Sequence, residues 1–131
     1  MVNSIQTSLS GLMASGKKVA VASSNIANAR TTGSLSDAEN APYSALQTQN
    51  VAENGGVRAQ VTEKTPPFVP AFDPDSPFAD ADGIIGAPNV NLGEELVITK
   101  EAEFAYKANA QLIKTDGELF DTLINALDTD A

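Results

Sequence analysis

The stretch VNSIQTSLSGLMASGKKVAVASSNI, residues 2–26, sets a ladder at Val2, Ile5, Leu9, Leu12, Gly16, Val19, Ser23 and Ile26. Its alternating steps of three and four average about 3.5 residues, the spacing that keeps one stripe of a helix turned toward a partner helix. A second ladder of the same step runs through Leu92, Leu96, Thr99, Glu103, Tyr106, Ala110, Ile113, Gly117, Phe120, Ile124 and Leu127. Nothing between the two repeats with that period. The pattern predicts a mainly α chain, with long N- and C-terminal helices paired as a coiled coil around a small irregular, β-containing middle excursion. The helical unit is expected over 1–33 and 89–131, and the middle segment over 34–88.

Local signals set the expected boundaries. Asn3 with Gln6, and Asn91 with Glu94, have capping-box spacing, which satisfies orphan N–H groups in a first helical turn. The first helix is expected to run to about Arg30 and to stop before Gly33, where a left-handed residue can close the last turn. Pro88 keeps Ala87 out of the second helix, and Glu94 and Glu95 suit the positive end of its dipole. Gly11 and Gly16 weaken the first helix, and Gly16 on the seam suggests close packing against a neighbouring helix. Residues 57–63 alternate apolar and polar side chains and read as a strand, ended by Thr65-Pro66-Pro67. Residues 31–56 show little period beyond a Gly55-Gly56 turn; Tyr43 after Pro42 and the stretch Ala45–Thr48 admit an extended conformation, and the segment is by default expected to be irregular, mobile or ordered by a partner. Phe68, Val69 and Phe72 form a small apolar patch.

The composition excludes several chemistries. The chain has 131 residues with no Cys and no His, so disulfides, thiol nucleophiles and imidazole catalysis are absent. Its formal charge is −9, from 17 acidic and 8 basic residues, which opposes binding to a phosphate backbone. No basic n-region or apolar run marks a Sec-type signal or a membrane span. Asp75, Asp80 and Asp82 beside Gly83 suggest a calcium loop, but Phe78 and Asn89 stand where ligands are required. The pairs Asp73–Asp75 and Glu94–Glu95 lack the enclosing core that would separate their pKa values for acid–base work. The expectation is therefore a non-enzyme with no cofactor and no metal.

Other residues admit two readings. Lys17-Lys18 is a solvated helix face or an inter-subunit pairing site. Glu103 on the apolar ladder either sets a register or marks the point where the seam drifts. Asn25 and Asn28 either cap their own helix end or bond across subunits, and the second is the preferred reading.

Leu9-Ser10-Gly11-Leu12, followed by Ala22-Ser23-Ser24-Asn25-Ile26-Ala27-Asn28-Ala29-Arg30-Thr31-Thr32-Gly33, resembles the N-terminal signature of the flagellar rod and hook axial proteins. Gly55-Gly56-Val57, Phe72-Asp73-Pro74-Asp75-Ser76-Pro77, Ala79-Asp80-Ala81-Asp82-Gly83 and Pro88-Asn89-Val90-Asn91 are similar to the short proximal-rod branch of that family. Glu95 and Ala105-Tyr106-Lys107-Ala108-Asn109 resemble its C-terminal segment. Phe72, Ser76 and Ile84-Ile85 depart from the usual Tyr, His and Tyr-Val.

The resemblance implies a structural subunit of the bacterial flagellar basal body, in the proximal rod that crosses the periplasm and transmits torque. It implies polymerisation through the terminal helices, export by the flagellar type III apparatus, and partners among copies of the chain and the proximal-rod, rod-adaptor and distal-rod proteins. Two alternatives remain: another short rod or rod-adaptor subunit, or a small acidic coiled-coil secretion chaperone. The residues expected to pair helices and assemble are Ile5, Leu9, Leu12, Gly16, Val19, Ser23, Asn25, Ile26, Asn28, Leu96, Tyr106, Ile113, Phe120, Ile124 and Leu127.

Overall fold

Asn91 opens the C-terminal helix as its sequence requires: its Oδ1 accepts the N–H groups of Gly93 at 3.0 Å and Glu94 at 3.2 Å. The computed structural model describes residues 2–129, and the side chains of residues 4–128. The expected cap at Asn3 therefore lies outside the described side chains. Helix α1 spans Val2–Asn28 and α2 spans Leu92–Thr129. A short 3-10 turn, Ala38–Asn40, leads from α1 toward strands β1 (Leu46–Glu53), β2 (Gly56–Glu63), β3 (Phe68–Phe72) and β4 (Ile84–Pro88).

The strands form two separate antiparallel sheets, β1 with β2 and β3 with β4. Two-residue closure of the first hairpin needs positive φ at both turn positions, which Asn54 (48°) and Gly55 (79°) supply. Glu53 then faces Gly56, and the register runs to Leu46 opposite Glu63. The expected strand at 57–63 is present as β2. The expected irregular stretch 31–56 is corrected over 46–53, where polar Gln47, Thr48, Gln49 and Asn50 form β1. Those residues lack an apolar alternation because both sheet faces are largely exposed. What holds them is the ladder with β2.

Gly33 does not close α1 in a left-handed conformation; α1 ends at Asn28, and Gly33 forms an isolated bridge to Gly86 instead. The Gly33 N–H donates to Gly86 O at 3.0 Å, and the Gly86 N–H donates back at 2.8 Å. A Cβ at Gly33 would collide with the backbone of Asn40, Ala41 and Pro42, so only glycine fits there. This bridge ties the segment after α1 to β4, and hence to the start of α2.

The two helices pack antiparallel. Ser4 hydrogen-bonds Asp116, Gly11 lies against the Asn109 amide, and Asn25 bonds Glu95, so the pairs advance in opposite directions at constant register. Residues in that seam are small or polar: Ser8, Ala14, Ser15, Ala22 and Ala102 are all buried. Gly11 has no Cβ because one would sit 2.7 Å from Asn109.

The expectation of a mainly α coiled coil is thereby overturned. The described residues form two α-helices plus four antiparallel strands, and the helices meet through small side chains rather than interlocking large ones. Along α2 the ladder runs one residue out of step with the seam: Leu96, Glu103 and Ala110 follow directly on Glu95, Ala102 and Asn109, which lie toward α1. One residue turns a helix by about 100°, so the ladder occupies a neighbouring face. Glu103 sits on that face, where Lys100 and Lys107 pair with it.

Candidate assembly interface

The large apolar residues that the sequence assigned to helix pairing are left uncovered by their own chain. On α1, Ile5, Leu9 and Ile26 are exposed, Leu12 and Val19 are half-buried, and Gly16 and Ser23 face outward. On α2, Leu96 and Tyr106 are 60% and 49% exposed, and Ile113 is half-buried. Val19 meets Thr99, Glu103, Tyr106 and Lys107 at one shallow apolar depression, so the two ladders converge on a common face of the helix pair. Hairpin β1–β2 packs against α1 on a different face, its tip held by Thr7 Oγ1 on Gly55 O (3.1 Å) and Val57 N–H on Ser10 Oγ (3.0 Å).

Beyond the N-terminal end of α1, helix α2 continues for about eleven residues, or about 16 Å. Phe120, Ile124 and Leu127 lie on this overhang and are 51%, 42% and 66% exposed. Their exposure leaves large apolar side chains on this end of α2 that the described chain does not cover.

Asn25 departs from its expected role. Its side chain is fully buried and all four of its hydrogen-bonding positions are filled within the chain. Nδ2 donates to Leu46 O (2.8 Å) and Glu95 Oε1 (2.8 Å), while Oδ1 accepts from Leu46 N–H (3.0 Å) and Tyr43 Oη (3.1 Å). The preferred cross-subunit reading of Asn25 is therefore corrected: this amide joins α1, the start of β1 and α2. Asn28 also serves its own helix end, with Nδ2 on Ser24 O (2.9 Å) and Oδ1 accepting from Thr31 (3.2 Å).

Sequence reading missed Glu95, Lys64 and Tyr43 as parts of this cluster. Glu95 is 1% exposed, and its carboxylate is met by Lys64 Nζ at 3.4 Å as well as by Asn25. A buried carboxylate needs this partnering, since an unpaired one carries a large desolvation cost. Nothing local distinguishes Glu95 from Glu94, which is exposed. Only the fold places one inward.

The acidic turn has a structural account. Asp80 Oδ1 accepts the N–H groups of Asp82 (2.9 Å) and Ile84 (2.8 Å), and Gly83 takes a positive φ of 75°. The carboxylate thus closes an Asx-type turn between β3 and β4. Among the described residues no acidic cluster is placed to hold a metal ion. A cleft of about 480 Å³ lies between α1, α2 and the first hairpin. Its Lys64 is engaged by Glu94 and Glu95.

An exposed apolar face carried on a pair of long helices, stiffened by a buried polar cluster, defines a structural subunit. The family model described as "Flagella basal body rod protein" matches residues 5–33, and "Flagellar basal body rod FlgEFG protein C-terminal" matches residues 81–126. The chain is 34% identical over 126 residues to the flagellar basal-body rod protein FlgC of Yersinia enterocolitica, covering 91% of this chain and 92% of that one. It is 34% identical over 122 residues to FlgC of Salmonella typhimurium, covering 88% and 89% of the two chains. With FlgC of Agrobacterium fabrum it shares 34% over 126 residues, covering 90% and 88%. The chain belongs to the flagellar basal-body rod protein family. It is a structural subunit of the basal-body rod, working with other rod components, and not an enzyme.

Proposed function

We propose that this chain is a proximal-rod subunit whose terminal helices pack side by side with those of neighbouring subunits into a hollow shaft. The helical unit, 1–33 with 89–131, forms the inner tube, and 34–88 forms the outer part that fastens adjacent subunits. The observation that carries the reading is the division of labour on the helices. Small residues make the contact within the chain, and the large ladder residues Ile5, Leu9, Leu12, Val19, Ile26, Leu96 and Tyr106 are left toward neighbours. Full burial of a large apolar side chain is worth about 1.5–3 kcal/mol, so covering these half-exposed ones adds roughly 1 kcal/mol each, and several per subunit favour assembly.

The partners in this reading are copies of the chain together with proximal-rod, rod-adaptor and distal-rod proteins. The location is the periplasmic section of the shaft, reached through the flagellar type III export apparatus. Replacing Leu9→Asp puts a charge on the ladder without touching the small-residue seam. Cells carrying it are expected to export the chain yet build no rod and fail to swim. Normal rods and normal swimming in that strain would refute the reading.

A further inference from the structure

Asn54-Gly55, the turn that closes the first hairpin, is a reactive pair held in an unreactive shape. Asn54 is the only asparagine in the sequence followed by glycine. An asparagine amide carbon lies within reach of the next residue's backbone nitrogen, and their bonding closes a five-membered ring. A side chain on that next residue obstructs the approach, and glycine has none. Both residues are exposed. Among the described residues no hydrogen bond holds the Asn54 side chain or occupies the Gly55 N–H. The turn and Gln6, Thr7 and Ser10 of α1 line a hollow of about 330 Å³, wide enough for water.

What restrains the pair is the turn itself. Asn54 at φ 48° and Gly55 at φ 79° have the signs of a type I′ turn. In that conformation the Gly55 nitrogen lies nearly opposite Cβ about the Asn54 Cα–C bond, whereas ring closure needs the two on one side. Attack therefore waits for the tip to open. Opening is opposed by Thr7 Oγ1 donating to Gly55 O at 3.1 Å, and by Val57 N–H donating to Ser10 Oγ at 3.0 Å.

We propose that Asn54 is a site of spontaneous covalent modification, where water converts the amide to isoaspartate and aspartate through a cyclic imide. Release of the hairpin tip from α1 sets the rate. The Gly55 nitrogen bonds to Asn54 Cγ, the Cγ–Nδ2 bond breaks, and the Gly55 amide proton leaves with Nδ2 as ammonia. Water then opens the ring. Cleavage of the new Cγ–N bond gives aspartate. Cleavage of the original C–N bond gives isoaspartate, with the main chain rerouted through Cβ and Cγ. Water is the sole co-reactant, and nothing is oxidised or reduced. This chemistry requires nothing of the lattice reading above.

Either product adds a carboxylate beside Glu53, whose own carboxylate is paired with Arg58 at 3.1 Å. Isoaspartate also lengthens the main chain by a carbon, which a two-residue closure with Glu53 facing Gly56 does not accommodate. The space is already tight there, since a Cβ on Gly56 would run into Ser10 Oγ. The modified tip therefore loses its fit to Thr7 and Ser10, and the hairpin comes away from the N-terminal half of α1.

Peptide mass spectrometry of the full-length chain, held warm in neutral buffer, tests this. The mass change from exchanging NH2 for OH is expected at Asn54 ahead of Asn40 and Asn50, which share its tryptic peptide and precede Ala and Val. An isoaspartyl carboxyl methyltransferase, used as a reagent, should label the isoaspartate product. Thr7→Val and Ser10→Ala together should raise the rate severalfold, and urea should also raise it severalfold. Asn54→Gly keeps a residue that takes the positive φ of the turn, and should abolish the signal. No exchange at Asn54 in buffer or urea, or exchange no faster than at Asn40 and Asn50, overturns the site. Equal rates in the parent and the Thr7→Val, Ser10→Ala double variant overturn its control by the contact with α1.

Discussion

Asn25 and Glu95 are 70 positions apart in sequence, and they share a fully buried hydrogen bond of 2.8 Å, Nδ2 to Oε1. Through it the rod-family signature of α1 is joined to the first turn of α2. Leu46 bonds the same amide through both its backbone N–H and its C=O, so the root of the first hairpin is fixed by the same side chain. One residue thus sets the register of three elements.

Asn25→Ala is expected to cost about 3 kcal/mol, since it strips partners from a buried carboxylate and from the Leu46 backbone. Urea unfolding of the purified chain measures this as a lower midpoint. Asn25→Asp should be no milder, because it sets a second carboxylate against Glu95. A loss below about 1 kcal/mol for both variants would show that the cluster does not organise the fold.

Two glycines make a contrasting pair. Alanine at Gly33 meets the backbone of Asn40 to Pro42 and breaks the bridge to Gly86, which is expected to cost about 2 kcal/mol or more. Alanine at Gly16 meets nothing within 4 Å, and helix propensity then favours it by up to about 1 kcal/mol in the isolated chain. Thermal unfolding of both variants gives the signs. If Gly16 is instead a close-approach point between subunits, Gly16→Ala will raise monomer stability while impairing rod formation and swimming.

Glu103 gives a pH signature. Hydrogen bonds from Lys107 (2.6 Å) and Lys100 (3.0 Å), with their positive charges, lower its pKa from 4.5 to about 2. A lowered folded-state pKa means that its contribution to α2 is fully present above about 4.5 and is lost as pH falls toward 2. Carbon-detected titration of the Glu103 carboxyl should show the low midpoint. Lys107→Met should move that midpoint back up, and an unchanged midpoint would separate Glu103 from Lys107 in solution.

Much of the helical frame was legible from local chemistry. Asn91 and its first-turn acids marked the start of α2 to the residue, and β2 was visible as an alternating run. The hairpin before it was signalled by Asn54-Gly55, which supplies two positive φ values. A reading centred on Gly55-Gly56 shifts that turn by one residue, and the extended stretch at Ala45–Thr48 then catches only the start of β1. Strand β4 was hidden for another reason: Ile84 to Pro88 is short, contains Gly86, and is recognisable only beside β3 and Gly33.

The amino-acid order by itself determined two long helices, the start of the second, a non-catalytic composition and membership of the rod family, because periodicity, capping and motif spacing are local properties. Tertiary structure alone decided which stripe each helix spends on its own partner. Small side chains let α1 and α2 approach closely, so Ser8, Gly11, Ser15, Ala22 and Ala102 lie in or beside the seam while Leu9, Leu96 and Phe120 remain outside. A ladder of large apolar residues marks one face of a helix, and carries no information on whether that face packs within its own chain. That choice follows from how near the backbones can come, which depends on residues distant in sequence.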